Sequence, residues 1–121
     1  KEINDMHGHL VGDCVLSAVG RILREMCRLT DYAGRYGGEE FCLALTETSA
    51  EDGKRLAERI RTRIAEETFP SNGGSNLQAT CSIGLAQLRG EGDSIADLLA
   101  RADAALYEAK ALGRNRVAGG A

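Results

Sequence analysis

The chain has 121 residues, 43% hydrophobic and 27% charged, with 15 glycines, one proline and a formal net charge of −3. That is enough apolar material for one ordinary core, so a single domain over 1–121 is expected and the signature of disorder is excluded. A pI near 5.4 without a block of like charges excludes a general nucleic-acid or membrane-surface binder, and no apolar run or signal-peptide pattern offers a membrane contact; a cytoplasmic location is expected. Along the chain, Val15, Leu16, Val19, Ile22, Leu23, Met26 and Cys27 recur at helical spacing after the glycine-rich stretch 8–12. They predict an amphipathic helix with Asp13 near its first turn. A short strand over 31–36, the turn Gly37-Gly38-Glu39-Glu40 and the apolar run 41–45 predict a β-hairpin. A second helix is predicted over 49–67, with the stripe Leu56, Ala57, Ile60 and Ile64, a capping pair Ser49 and Asp52, and a solvated charged face. After the turn cluster 70–76, the alternation of Leu77, Ala79, Cys81, Ile83 and Leu85 predicts a half-buried strand. Ser94 with Asp97 caps a third helix, whose buried face is Leu98, Leu99, Ala102, Ala105, Leu106 and Ala109 and which Gly113 ends. A last short strand is expected over 114–117. The order implies an α+β fold, an antiparallel-rich central sheet flanked by helices.

The four cysteines, Cys14, Cys27, Cys42 and Cys81, include no close pair. They are expected to be buried thiols rather than zinc ligands or a disulfide framework. Tyr36, Phe41, Phe69 and Tyr107 are expected to pack rather than to stack on bases. The chain opens on Lys1 and is in a polar loop pattern by Asn4, which suggests an internal fragment with an upstream segment missing.

The hairpin turn is where chemistry enters. Arg35-Tyr36-Gly37-Gly38-Glu39-Glu40-Phe41 resembles the signature of the GGDEF family of diguanylate cyclases, in its GGEEF form. Two further blocks extend the resemblance over the whole chain. Lys1-Glu2-Ile3-Asn4-Asp5 with Gly8-His9 and Gly12-Asp13 is similar to the family's nucleotide-binding stretch. The stretch from Asp103 to Tyr107, then Ala109-Lys110 and Gly113-Arg114-Asn115-Arg116, is similar to its closing segment. Three spaced blocks in order are a far stronger signal than one tetrapeptide. The resemblance implies a nucleotidyl-cyclase, polymerase-palm-like fold lacking its first strand, whose metal-binding Asp would precede Lys1. It also implies an upstream sensory domain in a parent protein that another domain can anchor to a membrane. The fragment alone is therefore expected to be weakly active at most.

By the same resemblance, Glu39 is the carboxylate that helps the attacking 3′-hydroxyl and Glu40 a metal ligand, with Asn4 and Asp13 on the guanine edge and His9 shaping that pocket. The residue types suit these tasks. Gly37 and Gly38 permit a tight turn and a close approach of backbone to a triphosphate. Adjacent carboxylates offer hard oxygen donors to Mg²⁺ or Mn²⁺. Lys110 and Arg114, four apart at a helix end, can reach one phosphate group. Plainer roles stay open: Glu39 and Glu40 as an ordinary solvated turn, Asp13 as a helix N-terminal carboxylate, Lys110 and Arg114 as C-terminal cations. His7 and His9 make a poor metal pair.

Arg28-Leu29-Thr30-Asp31, five residues before Gly37, matches the RxxD motif through which family members bind their own product. It implies feedback by cyclic di-GMP, unless Arg28 and Asp31 merely terminate the helix. The expected function is thus a diguanylate cyclase working as a homodimer, with GTP as substrate and cyclic di-GMP as product. The alternatives are a non-catalytic module that binds GTP or cyclic di-GMP and a purely structural interaction domain.

Overall fold

The computed structural model of the chain describes residues 9–37, 40–70, 76–90 and 92–120. They form two compact units, one made by the described residues up to Thr46 with those of 66–79, the other by 47–65 with the residues from Thr80 onward.

In the first unit the apolar repeat folds as α1 (His9–Met26). Val15, Ile22 and Leu23 are buried, whereas Leu16, Val19 and Met26 are half-buried. The helix starts earlier than its glycines suggest and has no acidic residue in its first turn. Asp13 therefore lies beyond the reach of the N-terminal dipole, which fades within one turn, and that role is withdrawn. An interior glycine costs about 1 kcal/mol, which the apolar face from Val15 onward outweighs. α1 packs on β1 (Tyr32–Gly37) and β3 (Phe69–Pro70). β1 pairs antiparallel with β2 (Glu40–Ala44), from Tyr32↔Ala44 to Gly37↔Glu40, with a register shift between Arg35 and Gly37. This is the expected hairpin. Gly20 of α1 accommodates the Phe41 ring, whose edge lies 3.4 Å from where a Cβ would stand. β3 pairs antiparallel with β4 (Asn76–Leu77) on either side of 71–75, which lie outside the described residues. Phe69 is 2% exposed and packs with Val15, Ala18, Val19 and Ala79.

In the second unit, α2 (Ala50–Glu66) begins where the Ser49 hydroxyl accepts the Asp52 N–H at 3.1 Å, the cap the sequence predicts. Gly53, Ala57, Ile60 and Ile64 are buried, and Arg55 pairs with Glu51 and Asp52 on the outer face. The long strand predicted over 77–85 is instead interrupted: residues 78–82 join no ladder, and β5 is Ile83–Leu85 alone. α3 (Ile95–Ala111) starts on Ser94, whose Oγ accepts the Asp97 N–H at 3.0 Å, and buries Ala105 and Ala109. The final strand, β6 (Val117–Gly119), begins later than expected because residues 113–115 all take positive φ and turn the chain first. β5 and β6 pair parallel, Ile83↔Val117 to Leu85↔Gly119, with α3 as the crossover that parallel pairing requires. α3 lies on both strands. The approach is so close that a Cβ on Gly84 would stand 2.2 Å from the Ala102 carbonyl oxygen and 2.3 Å from the Leu106 nitrogen.

The described residues are thus α+β, with the expected antiparallel pairing in two of their three ladders. Among them no helix is long and apolar enough to cross a membrane. Two further expectations are corrected. Cys14 is exposed because it falls off the Val15–Val19–Ile22 stripe, and Cys27, Cys42 and Cys81 are only half-buried, all four being free thiols. Tyr107 is 76% exposed, since the face that α3 turns inward is that of Ala105 and Ala109, and so it does not pack. Phe41 is half-buried, and the side chain of Tyr36 lies outside the described residues.

Candidate functional site

The hairpin sets the position of its own tip. Because Gly37 pairs with Glu40, the two residues between them, Gly38 and Glu39, must make the connection; they themselves lie outside the described residues. The register shift at Tyr36 is a bulge-like irregularity, a device that re-aims side chains at the end of a ladder. Glu40 is exposed. Its carboxylate, with that of its neighbour in sequence, offers only oxygen donors, a set that suits Mg²⁺ bound through one or two carboxylates and phosphate oxygens. Among the described residues no three His, Cys, Asp or Glu gather into a cation site of their own. Asn4 lies outside the described residues, as do the side chains of His9 and Asp13, whose backbones belong to α1.

Arg28 and Asp31 do come together, just after α1. The Asp31 side chain is 2% exposed, whereas that of Arg28 is 58% exposed. The Asp31 carboxylate accepts the Arg28 N–H at 3.0 Å, the Arg28 Nε–H at 3.4 Å and the Thr46 N–H at 3.0 Å. The Thr46 backbone bond, followed by the Arg28 bonds, holds the Asp31 carboxyl below its ordinary range against the opposing effect of desolvation. Arg28 Nη2 also donates to the Thr46 carbonyl. Asp31 therefore ties the end of α1 to the residues after β2 and orients Arg28, which is the side chain left facing outward.

The basic pair sits at the other unit's helix end. Lys110 is in the last turn of α3 and Arg114 just beyond it, both exposed. The turn after the helix is tightly bonded: Leu112 N donates to Glu108 O at 2.9 Å, Gly113 N to Lys110 O at 3.3 Å and Arg114 N to Ala109 O at 3.0 Å. Gly113, Arg114 and Asn115 have φ of 124°, 64° and 48°. Only the first is a glycine, so the next two occupy a left-handed region costly to residues with a Cβ. Arg61 of α2 donates from Nη1 to the Asn115 side-chain oxygen at 2.9 Å and from Nε and Nη2 to Glu58 at 3.3 and 3.0 Å. Arg61 belongs to the charged face expected to be solvated, yet it is half-buried and bonded. The available signal was its spacing, four after Ala57 and three before Ile64, which puts it beside the buried stripe.

A depression of about 520 Å³ in the same unit, lined by Arg89, Asp93, Asp97 and Arg101 among others, is a different kind of feature. Its Asp93 is occupied by Arg101 and by the Arg89 N–H.

Residues 1–116 match the family model described as the diguanylate cyclase GGDEF domain. The chain belongs to the GGDEF family. This GGDEF domain is 44% identical over 117 residues to diguanylate cyclase A of Treponema denticola, covering 97% of the chain and 31% of that protein. It is also 44% identical over 120 residues to the response regulator PleD of Caulobacter vibrioides, covering 98% of the chain and 26% of that protein. It thus spans less than a third of the length of either. Among solved structures, the GGDEF domain of DgcB from Caulobacter crescentus in complex with c-di-GMP matches it with a TM-score of 0.91 at 35% identity, over 98% of this chain and 70% of that one. The active GGEEF domain of a diguanylate cyclase from Vibrio cholerae matches with a TM-score of 0.83 at 39% identity, over 96% and 72%. The tip Gly37-Gly38-Glu39-Glu40-Phe41 has that same GGEEF form.

Proposed function

We propose that this GGDEF domain is the catalytic domain of a diguanylate cyclase, which joins two GTP molecules into cyclic di-GMP and releases two pyrophosphates. The observation that carries the reading is the hairpin whose closing pair, Gly37↔Glu40, leaves the Gly38-Glu39 dipeptide as its connection. A carboxylate at such a tip can approach a triphosphate without a flanking Cβ in the way. Glu39 takes the proton of one GTP's 3′-hydroxyl as that oxygen attacks the α-phosphorus of the other. The new P–O3′ bond forms as the bond to the β-phosphate oxygen breaks, and pyrophosphate leaves with that electron pair. Asn4 and Asp13 read the guanine edge beside His9, and Lys110 and Arg114 offset phosphate charge. Glu39 and Glu40 with phosphate oxygens would hold Mg²⁺ or Mn²⁺, which when bound supplies charge neutralisation at the reacting phosphates. The symmetric product requires two domains face to face, so the active species is a homodimer.

Product feedback through Arg28 and Asp31 belongs to the same proposal. The outward guanidinium of Arg28, oriented by Asp31, suits bidentate pairing with a phosphate or stacking on guanine. Asp31 acts mainly through Arg28, because its own oxygens are already taken up by backbone donors.

The test is a mass-spectrometric assay of cyclic di-GMP made from GTP and Mg²⁺ by the natural protein. Wild type should make product, Glu39→Ala about 100-fold less or none, and added cyclic di-GMP should slow wild type but not Arg28→Ala. A folded, dimeric wild type that makes no product would overturn the cyclase reading in favour of a nucleotide-binding regulator.

A further inference from the structure

We propose that Arg61 is a positioning residue for the triphosphate: through Asn115 it fixes the left-handed turn that presents Arg114. The inference rests on the assignment of Arg114 to the GTP phosphates made above.

Many helices close on one residue at positive φ, and here Gly113 supplies it at 124°. The chain nevertheless continues through Arg114 at 64° and Asn115 at 48°. Asparagine visits this region readily, but arginine has no such ease. A conformation of this kind persists only where its surroundings over-determine it, and such places cluster at ligand clamps. Two of the restraints here are local, the Arg114 N–H on the Ala109 carbonyl at 3.0 Å and the Arg116 Nε–H on the Arg114 carbonyl at 3.1 Å. The third comes from α2, 54 positions away in sequence, where Arg61 Nη1 reaches the Asn115 oxygen at 2.9 Å.

Arg61 is itself well anchored. Its side chain is 23% exposed, and Glu58 takes two of its other N–H groups. A planar guanidinium can serve Glu58 and Asn115 at the same time, with little freedom left to lose, which an ammonium cannot match. The rigid helix α2 is thereby tied to the turn carrying Arg114. Two cations act on one phosphate only if their spacing is held, so loosening this tether should weaken nucleotide binding more than it slows the bond-making step.

The test measures KM for GTP and kcat separately in the natural protein. Arg61→Gln and Asn115→Gly should each raise KM about 3- to 10-fold, the worth of one hydrogen bond, and change kcat less. Asn115→Gly is informative because glycine tolerates the positive φ while removing the side chain that Arg61 holds. Asn115→Asp keeps the acceptor and should stay near wild type. The double variant Arg61→Gln/Asn115→Gly should be no worse than either single one, since both remove the same contact. An unchanged KM in Asn115→Gly, a failure of Asn115→Asp to preserve KM, or additive losses in the double variant would each overturn the proposal. Arg114→Ala separates the two levels. If it raises KM while Asn115→Gly does not, only the tether is wrong; if it leaves KM unchanged, the phosphate assignment itself fails. Should Arg61→Gln not fold, the Asn115 pair still decides.

Discussion

Asp93 accepts from Arg101 Nη1 at 2.8 Å, from Arg101 Nη2 and from the Arg89 N–H at 2.9 Å, and its side chain is only 8% exposed. The Arg101 bonds, then the Arg89 bond, bring its carboxyl down to about 2 from an ordinary 3.8. The folded pKa lies below the unfolded one, so the stabilisation is complete above about pH 4 to 5 and is lost as pH falls toward 2. Asp31, also depressed, adds in the same direction. Wild type should therefore melt higher than Asp93→Asn near pH 7, with the gap closing as the melts are repeated down to about pH 2.5. A gap independent of pH would mean that the bonded carboxylate is not what stabilises this loop. Residue by residue, the sequence was a partial guide. Charge complementarity alone does not reveal that Asp93 meets Arg101, because the loop between β5 and α3 has no period to read. Cys14 is exposed although its stretch of sequence is apolar, because on a helix neighbours in sequence lie on different faces.

At the scale of elements, β5 and α3 meet backbone to backbone. A Cβ on Gly84 would lie 2.2 Å from one backbone atom of α3 and 2.3 Å from another, and neither can rotate aside. Gly84→Ala should cost about 3 kcal/mol and lower the melting temperature by about 10 °C or more. Gly34→Ala in β1, where a Cβ meets nothing within 4 Å, is the control and should melt like wild type. Equal melting of the two variants would refute the close approach. The helices were legible because their stripes and serine caps are local signals, and Ser49 and Ser94 cap as predicted. The short strands were less so. Alternation over 77–85 continues through residues that join no ladder, and the partner of β5 lies on the far side of a helix, where no local pattern can announce it. Arg61 lay hidden for a related reason: its partner is distant in sequence, and a charged face gives no sign of which charge is used.

For the whole molecule, the net charge of −3 is at odds with the proposed triphosphate ligand unless cations are placed locally, the part proposed for Lys110 and Arg114. The three sequence blocks sufficed for the family because each is a run of unlike residues at fixed spacing, a pattern that a core alone would not demand. If each domain holds one GTP, turnover requires an encounter of two. Specific activity should then rise about in proportion to enzyme concentration while monomers predominate, and level off once dimers do. A flat profile measured on a protein shown by light scattering to be monomeric would exclude the shared site.

The parallel ladder bears also on how the chain is made. The hairpin of β1 and β2 joins neighbours and can form soon after it leaves the ribosome, but β5 must wait until all of α3 has emerged and β6 behind it. Until then β5 lacks its parallel partner, and the nascent chain exposes an edge that only residues 117–119 complete.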